Sequence, residues 1–368
     1  MESCVDFLNW LDDDMSLKIL MCLDDPSDLV RVSCVSRSWR HYVIANGLCK
    51  QLCLRMFPQL SRVSCVIELN KQVAEESAAF GSSCYMERQA LERDHRVYAY
   101  LARALSSSVI EDCIAETISA SSTDNYPEES IVNTLEPRDI IEGGTASYWS
   151  SKGQSNPAVP ETLTYKLFSQ ICVITEISIH PFQAFFQLGL PIYSAKLVRF
   201  RMGHFKASSD ASGEQEFVWT YTSPEFAMVQ ENRLQNFKLP EPVLCIGGIL
   251  QIELLERIQR QEMDGLFYIC VSHVQVNGRL LLPAFSVEIL EPSGNVVLKK
   301  DHLATCRPYS ILSGNESNAI SNGYYVRRQL RDFQQVVNML QGNVMEVVED
   351  HVWDEEEDEV DELEDYVL

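Results

Sequence analysis

The feature that most limits how this chain can fold is a change of hydrophobic period near residue 113. Before it, apolar residues recur at helical spacing. After it they alternate every second position, in short runs broken by Gly, Pro, Asn and Ser clusters, to about residue 300. In 171–179, Ile171, Val173, Thr175, Ile177 and Ile179 share one face and Glu176 and Ser178 the other. Val198, Phe200 and Met202 oppose Arg199 and Arg201, and Leu250, Ile252 and Leu254 oppose Gln251 and Glu253. Phe217, Trp219 and Tyr221 alternate with Val218 and Thr220. Each run buries one face and wets the other, as antiparallel sheets do. Asn277-Gly278, between Val274–Val276 and Arg279–Leu282, reads as a hairpin turn. Six or more such runs without long helices between them favour a sandwich or jelly roll over an α/β fold.

A chain of 368 residues is long for one core, which rarely exceeds roughly 250 residues, so more than one domain is expected. The net charge of -23 is uneven: residues 346–368 hold thirteen acids and no Lys or Arg, leaving about -10 for the rest. That balance repels nucleic acid and anionic lipid, so neither is expected as a partner. No run approaches the roughly 18 apolar residues of a membrane span. Met1 to Asp14 has acids where a signal peptide needs a basic region. The twelve cysteines contain no CxxC pair, and Cys49–Cys53, the closest, lacks a His or Cys cluster to complete a zinc site. Reduced, mostly buried thiols in a cytoplasmic or nuclear protein are the expectation.

The N-terminal 57 residues read as two or three short amphipathic helices. Acids at Asp12 to Asp14 suit a first helical turn, and Met15, Ile19, Leu20 and Leu23 form an apolar stripe. Asp25-Pro26 stops that helix, and Ser27 or Asp28 can cap the next. Leu29, Val32, Val35 and Trp39 then fall close to one face of a second helix. So small a unit cannot bury this much apolar surface by itself, which predicts a partner. Residues 66–105 also read as helical, with Leu91, Val97, Tyr98, Leu101 and Leu105 on one face.

This N-terminal stretch resembles the F-box. Leu11, Ile19-Leu20, Leu23, Pro26, Asp28-Leu29, Val32, Val35 and Trp39 stand in the register of that family's pattern. Asp12 replaces the proline that usually follows the first leucine. The resemblance covers about one-seventh of the chain. It implies docking on the Skp-family adaptor of a cullin-based, SCF-type ubiquitin ligase, through Leu11, Ile19, Leu20, Leu23, Pro26, Leu29, Val32, Val35 and Trp39.

The segments 118–125 and 147–153, an Ala-Ser-Ser run followed by Trp149-Ser-Ser-Lys-Gly153, look like the opening of a galactose-binding-like (discoidin-type) jelly roll. That resemblance implies ligand-bearing loops at one end of the sandwich. The target-binding candidates there are Thr123, Asp124, Asn125, Trp149, Lys152 and His180, although Trp149 is more often a core plug and His180 a turn residue. Phe182, Phe185, Phe186, Leu188 and Leu190 form an apolar cluster broken by Gly189 and Pro191. Core packing is its default, and an exposed part would make a protein-binding patch.

No Walker loop, GxSxG elbow, HExxH or paired-histidine spacing is present, so neither an enzyme nor a cofactor is expected. Val326, Leu330, Phe333, Val337 and Leu340 repeat at helical spacing, ahead of an acidic stretch that cannot bury enough to fold. The fold expected is therefore multidomain α + β. It comprises a three-helix F-box at 5–57, a helical linker at 58–112 and an antiparallel β-sandwich at 113–300. A C-terminal helix at 322–345 and an acidic disordered tail at 346–368 follow. The function expected is bridging of the adaptor to an unidentified target protein. A lectin-like or scaffold protein without a ligase role is the alternative.

Overall fold

The computed structural model describes residues 10–69, 83–105, 110–137, 146–206, 216–281, 285–290 and 294–301. All of these lie in the unit spanning Met1–Ile311. The expected C-terminal helix and acidic tail fall outside the described residues.

Four short helices open the chain: α1 (Asp13–Met21), α2 (Pro26–Ser33), α3 (Arg37–Ala45) and α4 (Leu48–Met56). Their boundaries follow from local chemistry. Asp12 caps α1 by accepting from the Met15 amide at 2.7 Å, so the residue that replaces the usual proline acts as an N-cap. Asp25 caps α2 through the Ser27 amide at 2.7 Å. Pro26 therefore starts this helix at its first position, where no amide hydrogen is needed, and neither Ser27 nor Asp28 is the cap. Ser36 caps α3 through the Trp39 amide. Val35 and Trp39 consequently do not share a helix with Leu29 and Val32, because the chain breaks between Ser33 and Arg37. Arg55 of α4 reaches back to the carbonyl oxygens of Met21 and Leu23 and satisfies the C-terminal end of α1.

Residues 63–69 form a strand, β1 (Val63–Leu69), where helix was expected, and α5 spans Ser83–Leu105. The β region comprises β2 (Glu111–Asp112), β3 (Ile114–Ala120), β4 (Trp149–Ser150), β5 (Glu161–Leu167) and β6 (Ile171–Gln183). It continues with β7 (Ile192–Tyr193), β8 (Ala195–Phe205), β9 (Phe217–Thr222), β10 (Phe226–Ala227) and β11 (Gln235–Ile246). Last come β12 (Ile249–Arg257), β13 (Cys270–Leu280), β14 (Phe285–Leu290) and β15 (Asn295–Asp301). One sheet runs β10-β8-β12-β5-β3 with β9 on β8. The facing sheet runs β11-β6-β13-β2, with β4 on β13 and β7 on β6. Leu163, Tyr165, Phe200, Met202 and Ile252 of the first sheet share a core with Ile174, Ile177, Ile179 and Val274 of the second. β14 and β15, expected in the sandwich, join neither sheet. β15 pairs parallel with β1 and antiparallel with β14 to make a separate three-stranded sheet.

Asn277-Gly278 is not a hairpin turn. It lies inside β13, opposite Glu176 and Ile174 of β6, and Thr175 is the residue the register skips. This bulge changes the phase of β6, so the single apolar face read from 171–179 is really two. Ile177 and Ile179 point into the sandwich. Ile171 and Val173 point the other way, into a second core with Leu244, Ile246, Leu281 and the α4 and α5 residues Leu52, Cys53, Val97 and Leu101. Glycine is needed at 278 because a Cβ there would stand 2.4 Å from the Val173 carbonyl oxygen. We expect Gly278→Ala to destabilise the protein by about 2 kcal/mol, the size of an overpacked core substitution, read as a lowered urea midpoint.

His273 of β13 is buried, its Nδ1 2.9 Å from the Thr134 carbonyl oxygen. Burial holds its pKa below the usual 6.5. The unfolded chain therefore binds a proton at pH values where the folded chain does not. Stability is full above the unfolded value and is lost as the pH falls through the folded one. We expect the urea midpoint to drop between about pH 7 and about pH 5, and to drop less in His273→Gln.

Candidate functional site

Two surfaces of the Met1–Ile311 unit carry side chains without an evident structural duty. The first is on the opening helices. Of the nine expected adaptor contacts, Leu20, Pro26 and Leu29 are interior: Leu20 and Leu29 are 3% and 1% exposed and pack under α4 and α5. They hold the module together and cannot be the surface a partner touches. Ile19 on α1 and Val35 in the α2–α3 break are exposed, 42% and 62%, as is Met15 one turn before Ile19. Leu11, Leu23, Val32 and Trp39 are half-buried beside them. The result is an apolar ridge with a packed base, positioned by the caps of α1 and α3. The Tyr42 hydroxyl, which donates to the Asp13 carbonyl at 2.6 Å, ties these two helices together. Burial, then the nearby Asp13 and Asp14 carboxylates, raise the Tyr42 pKa, so it stays a donor.

The second surface is the sandwich end farthest from the helices, where the loops after β3, β4, β6, β10 and β12 converge. Its frame is Arg257 at the end of β12, whose side chain is fully buried and ion-paired with buried Glu161 of β5. Arg257 also donates to the Ser151 hydroxyl at 2.8 Å and to the carbonyls of Lys152 (2.9 Å), Phe267 (3.1 Å) and Val159 (3.2 Å). The Ser121 hydroxyl donates to the other Glu161 oxygen and accepts from the Thr162 amide. The guanidinium thus gathers two loops, 151–160 and 258–269, and its partner Glu161 adds the one after β3.

Three hydrogen bonds lace 122–124 to 149–152: Trp149 Nε1 to the Ser122 carbonyl, the Lys152 amide to the Ser122 hydroxyl, and the Asp124 amide to the Ser150 carbonyl. Asp124, Asn125 and Lys152 are exposed there and Thr123 is half-buried. Trp149 is a correction: at 0% exposure it is a core plug, fixed by its indole N–H, and it cannot touch a target. His180 is half-buried and bonded to Asn232 on a different loop, at 2.9 Å. Sequence reading missed Glu129, Tyr148, Asp264 and Tyr268, which belong to this end. Tyr148 donates to Glu129 at 2.6 Å and Tyr268 to Asp264 at 2.5 Å. Tyr148 and Glu129 come from separate loops, 19 residues apart, so no local signal marks that pair, whereas Tyr268 and Asp264 stand four residues apart in one loop.

Among the described residues, no group of three or more His, Cys, Asp or Glu side chains is placed to hold a metal ion, and no helix is long and apolar enough to cross a membrane. Burial raises the thiols of Cys49, Cys53, Cys245 and Cys270 to about 12, which leaves them protonated and unreactive at neutral pH.

The described residues thus form a helical module with an exposed apolar ridge, built onto a β-sandwich with a framed loop end. A family model described as F-box-like matches residues 13–55. An F-box protein of Arabidopsis thaliana is 52% identical over 376 residues, covering 98% of this chain and 99% of its own. The chain belongs to the F-box proteins. Membership supports, in general terms, a substrate-receptor role in which the F-box binds a Skp-family adaptor within an SCF complex.

The chain is also similar to several solved structures. A family 32 carbohydrate-binding module from a Clostridium perfringens family 31 glycoside hydrolase has a TM-score of 0.29 at 13% identity, over 44% of this chain and 90% of its own. The family 32 module of C. perfringens NanJ, solved in complex with galactose, has 0.27 at 14%, over 46% and 99%. A putative chitobiase fragment of Bacteroides thetaiotaomicron has 0.34 at 8%, over 48% and 97%. At such scores these likenesses assign no ligand here.

Replacing Arg257 by Met would leave Glu161 buried without its partner. We expect a loss of about 3–5 kcal/mol in urea unfolding, the usual consequence of breaking a buried pair from one side.

Proposed function

We propose that this protein is the target-recognition subunit of an SCF-type ubiquitin ligase. Its apolar ridge docks on the Skp-family adaptor and its far loops hold the target. The observation that carries the reading is the exposure of Met15, Ile19 and Val35, with Trp10 and Val30, on a module whose Leu20, Leu29, Val43, Leu48 and Leu52 are packed. A folded helical unit gains nothing from solvated Ile and Val. Burying each against a partner contributes about 1.5–3 kcal/mol, so a handful of anchors suffices for a stable complex. The chain itself has no chemical step in this reading. It raises the local concentration of target at the catalytic subunits. The protein would act in the cytoplasm or nucleus, where the adaptor and cullin are.

The test is a pull-down of a Skp-family adaptor with the intact chain and with Ile19→Asp/Val35→Asp. Both substituted side chains are exposed, so the variant keeps its fold by circular dichroism. We expect it to lose the adaptor, about 100-fold or more in Kd, because two apolar anchors are replaced by charges. Equal binding by both forms, or none by either, overturns the reading.

A further inference from the structure

This inference rests on the reading that the far loops hold the target, and it names what they take. We propose that the partner is a flexible peptide segment in which a lysine or arginine stands beside bulky apolar residues.

The apolar half of the site is the turn after β6. Phe185, Phe186, Leu188 and Leu190 are 47%, 57%, 95% and 51% exposed. The loop's polar groups satisfy one another. The Ala184 amide donates to the Pro191 carbonyl at 2.9 Å, Gln183 Nε2 to the Leu190 carbonyl at 3.0 Å, and the Tyr193 hydroxyl to Gln187 at 2.6 Å. Leu190 is held at a φ of 51°, in the left-handed region that branched, bulky residues avoid. A turn this internally bonded holds four large apolar side chains out in water, the pattern of an interaction surface. Beneath them Phe182 stacks on Tyr148 with ring centroids 3.8 Å apart, and Tyr193 and Tyr268 complete a small separate core.

The charged half lies against that same core. The hydroxyls of Tyr148 and Tyr268 fix the Glu129 and Asp264 carboxylates. Asp124 is within electrostatic reach of both: its pKa is raised by burial first, then by Glu129 and Asp264. The loops at 121–137, 146–160, 183–194, 228–234 and 258–269 together carry seven carboxylates and three basic side chains. Carboxylates crowded beside solvated Phe and Leu are complementary to a cation flanked by apolar side chains. One other ligand class fits less well. An anionic membrane would be repelled by the same carboxylates that flank the apolar turn.

The full chain bound to its Skp-family adaptor is used to select from a random peptide library displayed on phage. The best enriched peptide is then measured by fluorescence anisotropy. We expect enriched sequences to place Lys or Arg next to Leu, Ile, Phe or Met. Phe186→Ser/Leu188→Ser and Asp124→Lys, all at exposed positions, should each weaken the peptide about tenfold while the adaptor stays bound. Asp124→Lys should also lose the preference for basic residues on reselection. Enrichment without a basic preference, no enrichment, or affinity unchanged in the variants overturns the proposal. So does selective binding to a glycan array in place of peptides. Adaptor capture is scored separately in every sample, so failure of the ligase reading is seen on its own. In that event the same selection is run on the chain alone.

Discussion

The arrangement depends on one skipped residue. If β6 kept a single phase from Ile171 to Ile179, Ile171 and Val173 would face the sandwich interior with Ile177 and Ile179, and Cys172 and Ile174 would be turned out of it. The bulge at Thr175, facing a glycine that lets the backbones close up, turns the first half of the strand over. The second sheet then has two dry sides near residues 171–174 and 243–246. Cys172, Ile174, Val243 and Cys245 line the sandwich, while Ile171, Val173, Leu244 and Ile246 line the helical core. The third sheet closes that helical core with Val63, Val66, Phe285, Val296 and Leu298. Ion pairing of Arg96 on α5 with Glu68 on β1 at 2.8 Å, and Lys300 over the Tyr100 ring at 4.7 Å, join the same pieces at their rim.

At the other end of the sheets the organising force is polar. Arg257 presents a planar fork with every N–H in a fixed direction, which suits it to collecting carbonyls from several loops where a lysine could not. Its desolvation cost is offset by the Glu161 carboxylate and by satisfying each donor. Replacing such a pair by well-packed apolar side chains is often neutral for stability, whereas removing one partner alone is costly. The apolar wall fixes where the loop end lies relative to the F-box helices, and the guanidinium fixes the loops among themselves.

The F-box was legible because its determinants are local. Caps, the proline at a helix start and the apolar spacing all fall within a few residues of what they control, and they indicated helices and a partner together. Even there, spacing did not separate Leu20 and Leu29, which pack inward, from Ile19 and Val35, which do not. That distinction is made by α4 and α5, which lie farther along the chain. The sandwich was legible through alternation, but its departures were not. Thr175 bonds to the Asn277 carbonyl across 102 residues, and Ser64 of β1 meets Val296 of β15 across 232. A run read alone shows neither the residue its partner skips nor a parallel neighbour that arrives so late. For the same reason Asn277-Gly278 carried the local signature of a turn and serves as a bulge. Of the loop-end candidates, Asp124, Asn125 and Lys152 were found at the surface by motif. The tyrosine–carboxylate pairs behind them needed the folded chain.

The shared wall also means that the F-box of this protein is a unit of ancestry and not a unit of cooperativity. Residues 13–55 include the family signature, yet Leu20, Leu29, Leu48 and Leu52 share one continuous core with residues of α5, of β14 and β15, and of the back of β6 and β11. Cut at the end of the signature, the segment would lose much of the apolar surface that sets its shape. Heat or denaturant should therefore find no seam between the part that meets the ligase and the part that faces away from it. A substitution deep in the sandwich wall, such as at Val173 or Leu244, would be felt at the ridge more than 100 residues away in sequence.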